Sequence, residues 1–250
     1  MDRVVFLGTN GWFDTETGNT LSLFVEMGGF RFVLDAGNGI HKLDRFVAEG
    51  SPEPIYLFLS HFHLDHVVGV HVLSKFRLAG GMVIGGPEGT REHLGALMRP
   101  PFTKAPGDIP YPVEFRELPA EVGSFPFSVE VLPLLHTGLT LGYRLSAGGK
   151  VLAYCPDTGY CANAVTLARG ADLLVTECAY GIGVRRPQWP HLNPGDAARI
   201  ASEAGARKLA LVHFDPRHYP TLEHRRLAEK AARETFPATL AATDELEVAF

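Results

Sequence analysis

Four residues whose side chains bind metal ions lie within six consecutive positions of this 250-residue sequence: His61, His63, Asp65 and His66. Imidazole nitrogen and carboxylate oxygen suit zinc, and also manganese or iron, whereas a thiolate-rich cluster is typical of structural zinc or iron–sulfur sites. The apolar run 55–59 precedes the cluster. An extended backbone would direct His61 and His63 to the same side, toward one ion. The segment therefore predicts a metal site, and its spacing can serve two neighbouring ions.

A site for two ions needs further ligands, and three polar residues directly follow predicted strands: His136, Asp157 and His213. Binding residues collect on the loops at strand ends. Each of the three taken singly would be typical of a turn or a helix cap, but together they supply the ligand types that a dinuclear site lacks. For the cluster of His61, His63, Asp65 and His66, the alternative is a histidine-rich surface loop. With 11 histidines in the chain, a chance match to the four-position pattern is rare, on the order of one in a thousand.

The elements that must position these residues are short strands and helices, with no linker, repeat or low-complexity stretch between them. The hydrophobic pattern and the turn residues define their bounds. Predicted strands are 4–7, 21–26, 30–34, 55–59, 82–84, 113–118, 128–135, 141–145, 150–154, 173–177, 208–212 and 246–250, and predicted helices are 40–48, 67–78, 90–98, 163–168, 194–203 and 222–235. We therefore predict an α/β fold in one domain over residues 1–250, a four-layer sandwich of two sheets packed face to face with helices outside.

The amino-acid composition and net charge limit the classes of function that the protein could have. The sequence is 46% hydrophobic and 20% charged, which is typical of a globular protein with a buried core. A net charge of −5, without a run of five or more Lys and Arg, argues against a large nucleic-acid surface. Three cysteines without a C-x-x-C spacing favour reduced thiols. A strand-like start and the lack of an apolar run of about eighteen residues predict a soluble, cytoplasmic protein without a signal peptide or membrane contact.

The order of the candidate ligands resembles that of the metallo-β-lactamase fold superfamily. The order is His-x-His-x-Asp-His, then His136, Asp157 and His213, and the segments 6–9, 33–37 and 211–214 are similar to the ribonuclease Z-like branch. The resemblance extends from residue 4 to about residue 220. It implies the four-layer αββα sandwich of the metallo-β-lactamase type.

The resemblance also assigns the ligands to two divalent metal ions. One ion would be held by His61, His63 and His136 and the other by Asp65, His66 and His213, with Asp157 bridging them. Zinc is the first expectation, and manganese or iron is compatible with the same ligands. An aspartate at the bridging position departs from the cysteine that is typical of true zinc β-lactamases, which argues against antibiotic hydrolysis.

Two further residues match catalytic positions of the ribonuclease Z-like branch. His191 precedes the helix start at Asn193-Pro194, where asparagine caps the helix and proline occupies its first turn. In that branch the corresponding histidine meets the scissile phosphate and helps the leaving group depart. Glu177 matches the glutamate of the family's His-Glu-Ala-Thr motif and would orient His191, although Thr176 replaces the histidine of that motif here. A surface-loop histidine is the alternative for His191.

These residues together imply a dinuclear metal-dependent phosphodiesterase. A hydroxide bridging the two ions would attack, Asp65 would orient it, and protonated His191 would assist the leaving oxygen. Transfer-RNA processing in the branch uses an arm between the third histidine and the bridging aspartate, but only twenty residues separate His136 from Asp157. We therefore expect a small phosphorylated substrate, such as a cyclic nucleotide, a cyclic sugar phosphate or a short nucleotide.

Other functions stay open at this point. They are a lactone or thioester hydrolase on the same fold, a ribonuclease Z-like RNA processing enzyme, an inactive relative that only binds its ligand, and a redox enzyme with a dinuclear iron centre. Relatives of this fold are commonly dimers, so a homodimer is a further expectation.

Overall fold

The computed structural model describes residues 2–250, in which thirteen strands and five α-helices are joined by loops and 3-10 helices. The strands are β1 (Arg3–Gly8), β2 (Ser22–Met27), β3 (Phe30–Leu34), β4 (Ile55–Phe58), β5 (Met82–Pro87), β6 (Val113–Leu118), β7 (Ser128–Pro133), β8 (Leu141–Ala147), β9 (Lys150–Cys155), β10 (Leu173–Glu177), β11 (Leu209–Val212), β12 (Thr239–Ala241) and β13 (Glu247–Ala249). The α-helices are α1 (Leu64–Val67), α2 (Thr90–Leu97), α3 (Ala162–Ala168), α4 (Pro194–Ala204) and α5 (Leu222–Arg233). The 3-10 helices are Asn38–Arg45, Val68–Lys75, Pro106–Asp108 and Val122–Ser124. Across residues 2–250, no helix has the length and apolar character needed to cross a membrane.

The strands form two mixed sheets. The first sheet has seven strands in the order β13-β1-β2-β3-β4-β5-β6, and the second has six in the order β12-β11-β10-β9-β8-β7. Strands β3 to β6 run parallel to one another, as do β9 to β12. Parallel neighbours require crossover connections, and these connections carry the helices over the outer faces of the sheets. The carboxyl ends of the parallel strands therefore meet at common edges.

Three apolar layers hold the sheets and helices together. The central layer packs residues of both sheets against each other, including Phe32 and Phe58 from the first and Tyr143 and Val175 from the second. A second layer lies between the first sheet and the helices Asn38–Arg45, Val68–Lys75 and α2. A third lies between the second sheet and α3, α4 and α5. The predicted four-layer α/β sandwich is confirmed.

Two predicted helices differ from the structure in type and length. A helix is predicted over residues 40–48, and the structure has a 3-10 helix at Asn38–Arg45. Of the predicted helix 67–78, only Val67 belongs to α1, and Val68–Lys75 is a 3-10 helix. The amide of Gly69 donates to the carbonyl of Ala36 at 2.7 Å, so it is not available to an α-helix. Strand β12 was not predicted because its three residues are too few for an alternating pattern.

Candidate metal centre

The candidate ligands lie after strands of both sheets, at one edge of the sandwich. His61 and His63 follow β4, Asp65 and His66 belong to α1, and His136, Asp157 and His213 follow β7, β9 and β11. Strand β7 is antiparallel to β8, and β8 is antiparallel to β9, so β7, β9 and β11 share one direction. The sheets are joined at this edge, because the amide of Leu141 donates to the carbonyl of Ser60 at 2.9 Å. All seven side chains thereby converge.

The first donor group consists of one atom each from His61, His63, His136 and Asp157. Oδ2 of Asp157 lies 3.9 Å from Nε2 of His61 and 3.7 Å from Nε2 of His136. Nε2 of His136 lies 3.5 Å from Nδ1 of His63. Three imidazoles thus surround one carboxylate oxygen.

The second donor group consists of Asp65, His66 and His213 together with the other oxygen of Asp157. Oδ1 of Asp157 lies 3.1 Å from Nε2 of both His66 and His213. Nε2 of His66 and Nε2 of His213 are 3.2 Å apart. Oδ2 of Asp65 lies 3.3 Å from Nε2 of His213. Asp157 therefore directs one oxygen to each donor group.

The donor atoms fit divalent cations. Zinc holds imidazole and carboxylate ligands at about 2.0–2.1 Å in a tetrahedron, which separates neighbouring ligand atoms by roughly 3.3 Å. The separations in the two groups, from 3.1 to 3.9 Å, bracket that value. Nε2 of His61 and Oδ1 of Asp157 are buried and have no hydrogen-bond partner within residues 2–250. Buried polar atoms left unpaired cost about 1–3 kcal/mol each, and a cation in each group would pair them.

Asp35 fixes the orientation of His66 and was not predicted as a site residue. Its buried carboxylate accepts hydrogen bonds from Nδ1 of His66 at 2.8 Å and from the amide and hydroxyl of Ser60 at 2.7 and 2.8 Å. The hydroxyl of Tyr154 donates to it at 2.6 Å. Because Nδ1 of His66 is held by Asp35, Nε2 is left for the second donor group. Asp35 follows the apolar strand β3, so the strand-end rule that identified Asp157 could have identified it too.

Backbone strain is concentrated around this centre. Of the four non-glycine residues with positive φ within residues 2–250, three lie here: Trp12 at 66°, Asp35 at 57° and His213 at 54°. Such conformations cost about 1–3 kcal/mol each and persist only where the surroundings enforce them. The amide of Trp12 donates to Oδ2 of Asp65 at 2.6 Å. The backbone conformation of Trp12 therefore directs this amide to a candidate metal ligand.

Gly11 leaves space that the imidazole of His213 fills. A Cβ at position 11 would lie 2.5 Å from Cε1 and 2.7 Å from Nε2 of that ring. We expect Gly11→Ala to displace the ring and to weaken metal binding roughly ten-fold or more, measured by competition with a chelating dye. Gly107→Ala is the matched control, because a Cβ there would meet nothing within 4 Å. Equal affinities in the two variants would show that metal binding does not depend on the position of His213.

His191 lies beside both donor groups and is held from behind by Glu177. Nδ1 of His191 is 2.6 Å from Oε1 of Glu177, which ends β10 and is fully buried. The amides of Thr158 and Ala179 donate to the Glu177 carboxylate at 2.6 and 3.1 Å. With Nδ1 engaged by Glu177, Nε2 of His191 is available to a molecule in the cavity that His191 lines.

Burial and neighbouring charges give these imidazoles different proton affinities. Burial, aided by the charge of His66, lowers the pKa of His61 well below its ordinary value, which favours the neutral ligand form. At His66 burial acts in the same direction, but the carboxylate of Asp157 and two further aspartates outweigh it and raise the pKa. At His191 burial is outweighed by Glu177, which raises the pKa to about 9. This shift favours the protonated form of His191.

A cavity of about 320 Å³ opens over the two donor groups. Its walls include aromatic and cationic side chains that were not predicted: Trp12, Tyr180, Arg186, Trp189 and Arg217. Trp12 and Trp189 are 57% and 51% exposed, which is high for tryptophan. Trp189 lies two residues before His191 in the sequence. This closeness to a predicted site residue was the signal that could have identified Trp189 as part of the cavity wall.

The chain is similar to known proteins in sequence and in structure. A family model described as "Beta-lactamase superfamily domain" matches residues 30–214. A ribonuclease Z of Acaryochloris marina is 29% identical over 279 residues, which cover 87% of this chain and 87% of that protein. An uncharacterised protein of Mycobacterium tuberculosis is 30% identical over 196 residues, covering 74% of this chain and 70% of that protein. The crystal structure of the metallo-β-lactamase fold protein YhfI from Bacillus subtilis matches with a TM-score of 0.79 at 22% identity, over 99% of this chain and 98% of that one.

These matches agree with the resemblance inferred from the ligand order. The family model spans most of the chain and includes all seven candidate ligands. The structural match confirms the αββα sandwich of the metallo-β-lactamase type. The chain belongs to the family of β-lactamase superfamily domains and is a hydrolase with a metallo-β-lactamase fold, ribonuclease Z being among its relatives.

Proposed function

We propose that the protein is a dinuclear metal-dependent phosphodiesterase that acts on a small phosphodiester. The observation that carries this proposal is the division of the Asp157 carboxylate, with Oδ2 in the first donor group and Oδ1 in the second. One carboxylate shared by two complete donor groups is the arrangement that two adjacent cations require.

The first cation would be held by His61, His63 and His136, and the second by Asp65, His66 and His213, with Asp157 shared. Zinc suits these nitrogen and oxygen donors best, and manganese or iron is compatible with them. Bound there, the cations would lower the pKa of water and neutralise negative charge on the phosphoryl oxygens.

The protein side chains would perform the remaining steps. Asp65, whose Oδ2 accepts a hydrogen bond from the amide of Trp12, would orient the attacking water. His191 would donate a proton from Nε2 to the departing oxygen, because Glu177 holds its Nδ1. Glu177 is a positioning residue in this scheme, since it contacts His191 and not the substrate.

The positively charged side chains in the cavity wall favour a phosphodiester over a lactone or thioester as substrate. Arg186 and Arg217 both line the cavity; Arg217 is paired with Asp215, whereas Arg186 has no acidic partner within residues 2–250, and an unpaired positive group in a cleft attracts an anionic substrate. A neutral ester would make no use of this charge. The relative named ribonuclease Z also supports cleavage of a phosphodiester.

The size of the site favours a small substrate over a folded RNA. The twenty residues between His136 and Asp157 form only the β8–β9 hairpin with its short flanks, which leaves no room for an RNA-binding arm. The cavity of about 320 Å³ is at the small end of ligand pockets. The net charge of −5 provides no broad basic surface.

Hydrolysis of bis(p-nitrophenyl) phosphate tests the proposal. We expect the protein reconstituted with zinc or manganese to hold about two ions per chain, as a two-metal site requires, and to release p-nitrophenolate in proportion to its metal content. Elemental analysis and absorbance measure the two quantities. Fewer than one ion per chain after reconstitution would contradict the metal site, and faster hydrolysis of lactones or thioesters would contradict the substrate class.

A further inference from the structure

Two arginines line the cavity, and they differ in how their charges are compensated. Arg217 is paired with Asp215, with Nη2 2.6 Å from Oδ2, and its guanidinium carbon stands 3.9 Å from the ring centre of Trp12. Within residues 2–250, no carboxylate oxygen lies within 4.0 Å of the guanidinium nitrogens of Arg186. The charge of Arg217 is therefore compensated by Asp215. The charge of Arg186 at the cavity wall has no such partner within residues 2–250.

Arg186 is positioned by an aromatic ring and not by an acid. Its guanidinium carbon lies 5.7 Å from the ring centre of Tyr180, within the range of a cation–π contact. The hydroxyl of Tyr180 donates to the carbonyl of Trp189 at 2.6 Å, and the amide of Trp189 donates to the carbonyl of Arg186 at 3.0 Å. The two hydrogen bonds fix the backbone of the loop, and the cation–π contact places the guanidinium beside Tyr180 without cancelling its charge.

The neighbouring arginine, Arg185, anchors the same loop to α4. Arg185 donates to both oxygens of Asp196 on α4, at 2.8 and 2.6 Å. Nδ2 of Asn193 donates to the carbonyl of Val184 at 3.1 Å. Because Arg185 is bound to α4, the loop is fixed in a position that leaves the next residue, Arg186, facing the cavity.

None of the acidic residues that line the cavity within residues 2–250 pairs with Arg186. They are Asp65 and Asp157, which are proposed ligands, and Asp215, which pairs with Arg217. The reacting phosphodiester carries a single negative charge, which the cations would neutralise. A second anionic group on the substrate would therefore find Arg186 at the cavity wall without an acidic partner.

We propose that Arg186 determines specificity by binding a phosphate monoester group that the substrate carries in addition to its phosphodiester, an inference that rests on the function proposed above. The planar guanidinium offers parallel N–H donors that match phosphate oxygens, which makes arginine well suited to this contact. The preferred substrates are then small phosphodiesters with a further phosphate, and phosphodiesters without one are poorer substrates.

A matched pair of chromogenic substrates tests the inference. Thymidine 5′-(p-nitrophenyl phosphate) and its 3′-phosphorylated form share the same base, reacting phosphodiester and leaving group. We expect kcat/KM of the metal-loaded protein to be about ten-fold or more higher for the 3′-phosphorylated form, as one charge-assisted contact provides. Arg186→Met is expected to remove this preference, whereas Arg226→Met, which alters an exposed pair with Glu223 on α5, should keep it.

Ligand binding gives a readout that does not depend on turnover. The two tryptophans of the chain, Trp12 and Trp189, both line the cavity, so their fluorescence reports its occupancy. We expect Arg186→Met to weaken thymidine 3′,5′-bisphosphate about ten-fold more than thymidine 5′-phosphate. Equal effects on both ligands, or none, would overturn the role of Arg186. Selective binding without hydrolysis of either ester would instead contradict the proposed phosphodiesterase and leave the role of Arg186 supported.

Discussion

Asp157→Ala is expected to lose both metal ions and to lower the hydrolysis of bis(p-nitrophenyl) phosphate by about a thousand-fold or more. Asp157 is the only residue that contributes to both donor groups within residues 2–250, with one oxygen in each. Its removal takes a ligand from both cations and leaves the imidazoles of His66 and His213 facing each other at 3.2 Å. Losing two cations removes several kcal/mol of charge stabilisation, and each 1.36 kcal/mol is a factor of ten in rate.

Elemental analysis and steady-state kinetics measure the two effects on the same preparation. Asp44→Ala is the matched control, since Asp44 is an exposed aspartate that pairs with Lys75 at the surface. Asp157→Asn keeps the size of the side chain, and circular dichroism of both variants reports whether the fold is retained. A folded Asp157→Ala protein with full metal content would refute the bridging role.

His191→Ala is expected to keep its metal content and to lose turnover. The imidazole lies beside the donor groups, but its Nδ1 is occupied by Glu177 at 2.6 Å, which leaves one nitrogen for proton transfer. Loss of a general acid costs about 10²–10⁴-fold in rate. We expect the loss to fall in kcat and to be largest for esters with alkyl alcohol leaving groups. p-Nitrophenolate departs readily without a proton, so its esters should be affected less.

This dependence on the leaving group separates a proton donor from a structural residue. Glu177→Gln should show the same trend with a smaller loss, because it alters the orientation of His191 and not its presence. One nitrogen of His191 also lies within reach of Asp157 and His213, in a group that could hold a metal. Equal metal loss in His191→Ala and Asp157→Ala would therefore identify His191 as a ligand and refute the role of acid.

Local patterns allowed much of the fold and of the candidate centre to be predicted. His136, Asp157 and His213 were recognised because each ends an apolar strand, and strand ends of a sandwich meet at one edge. The cap at Asn193 was predicted for a similar reason, and its side chain accepts from the amide of Asp196 at 3.1 Å. By contrast, the 3-10 helix Val68–Lys75 depends on a distant carbonyl, that of Ala36, which no local pattern reveals.

The types and order of the donor residues were determined by the sequence alone, because strand-end positions and side-chain chemistry are both local properties. The tertiary structure decided which atoms meet. His66 and His213 are 147 positions apart in the chain, yet their Nε2 atoms lie 3.2 Å from each other. Long-range packing likewise decided that Asp35 holds His66 and that Arg186 faces the cavity without an acidic partner within residues 2–250. Distances and charge compensation depend on residues from several elements at once, and only the packed fold brings those residues together.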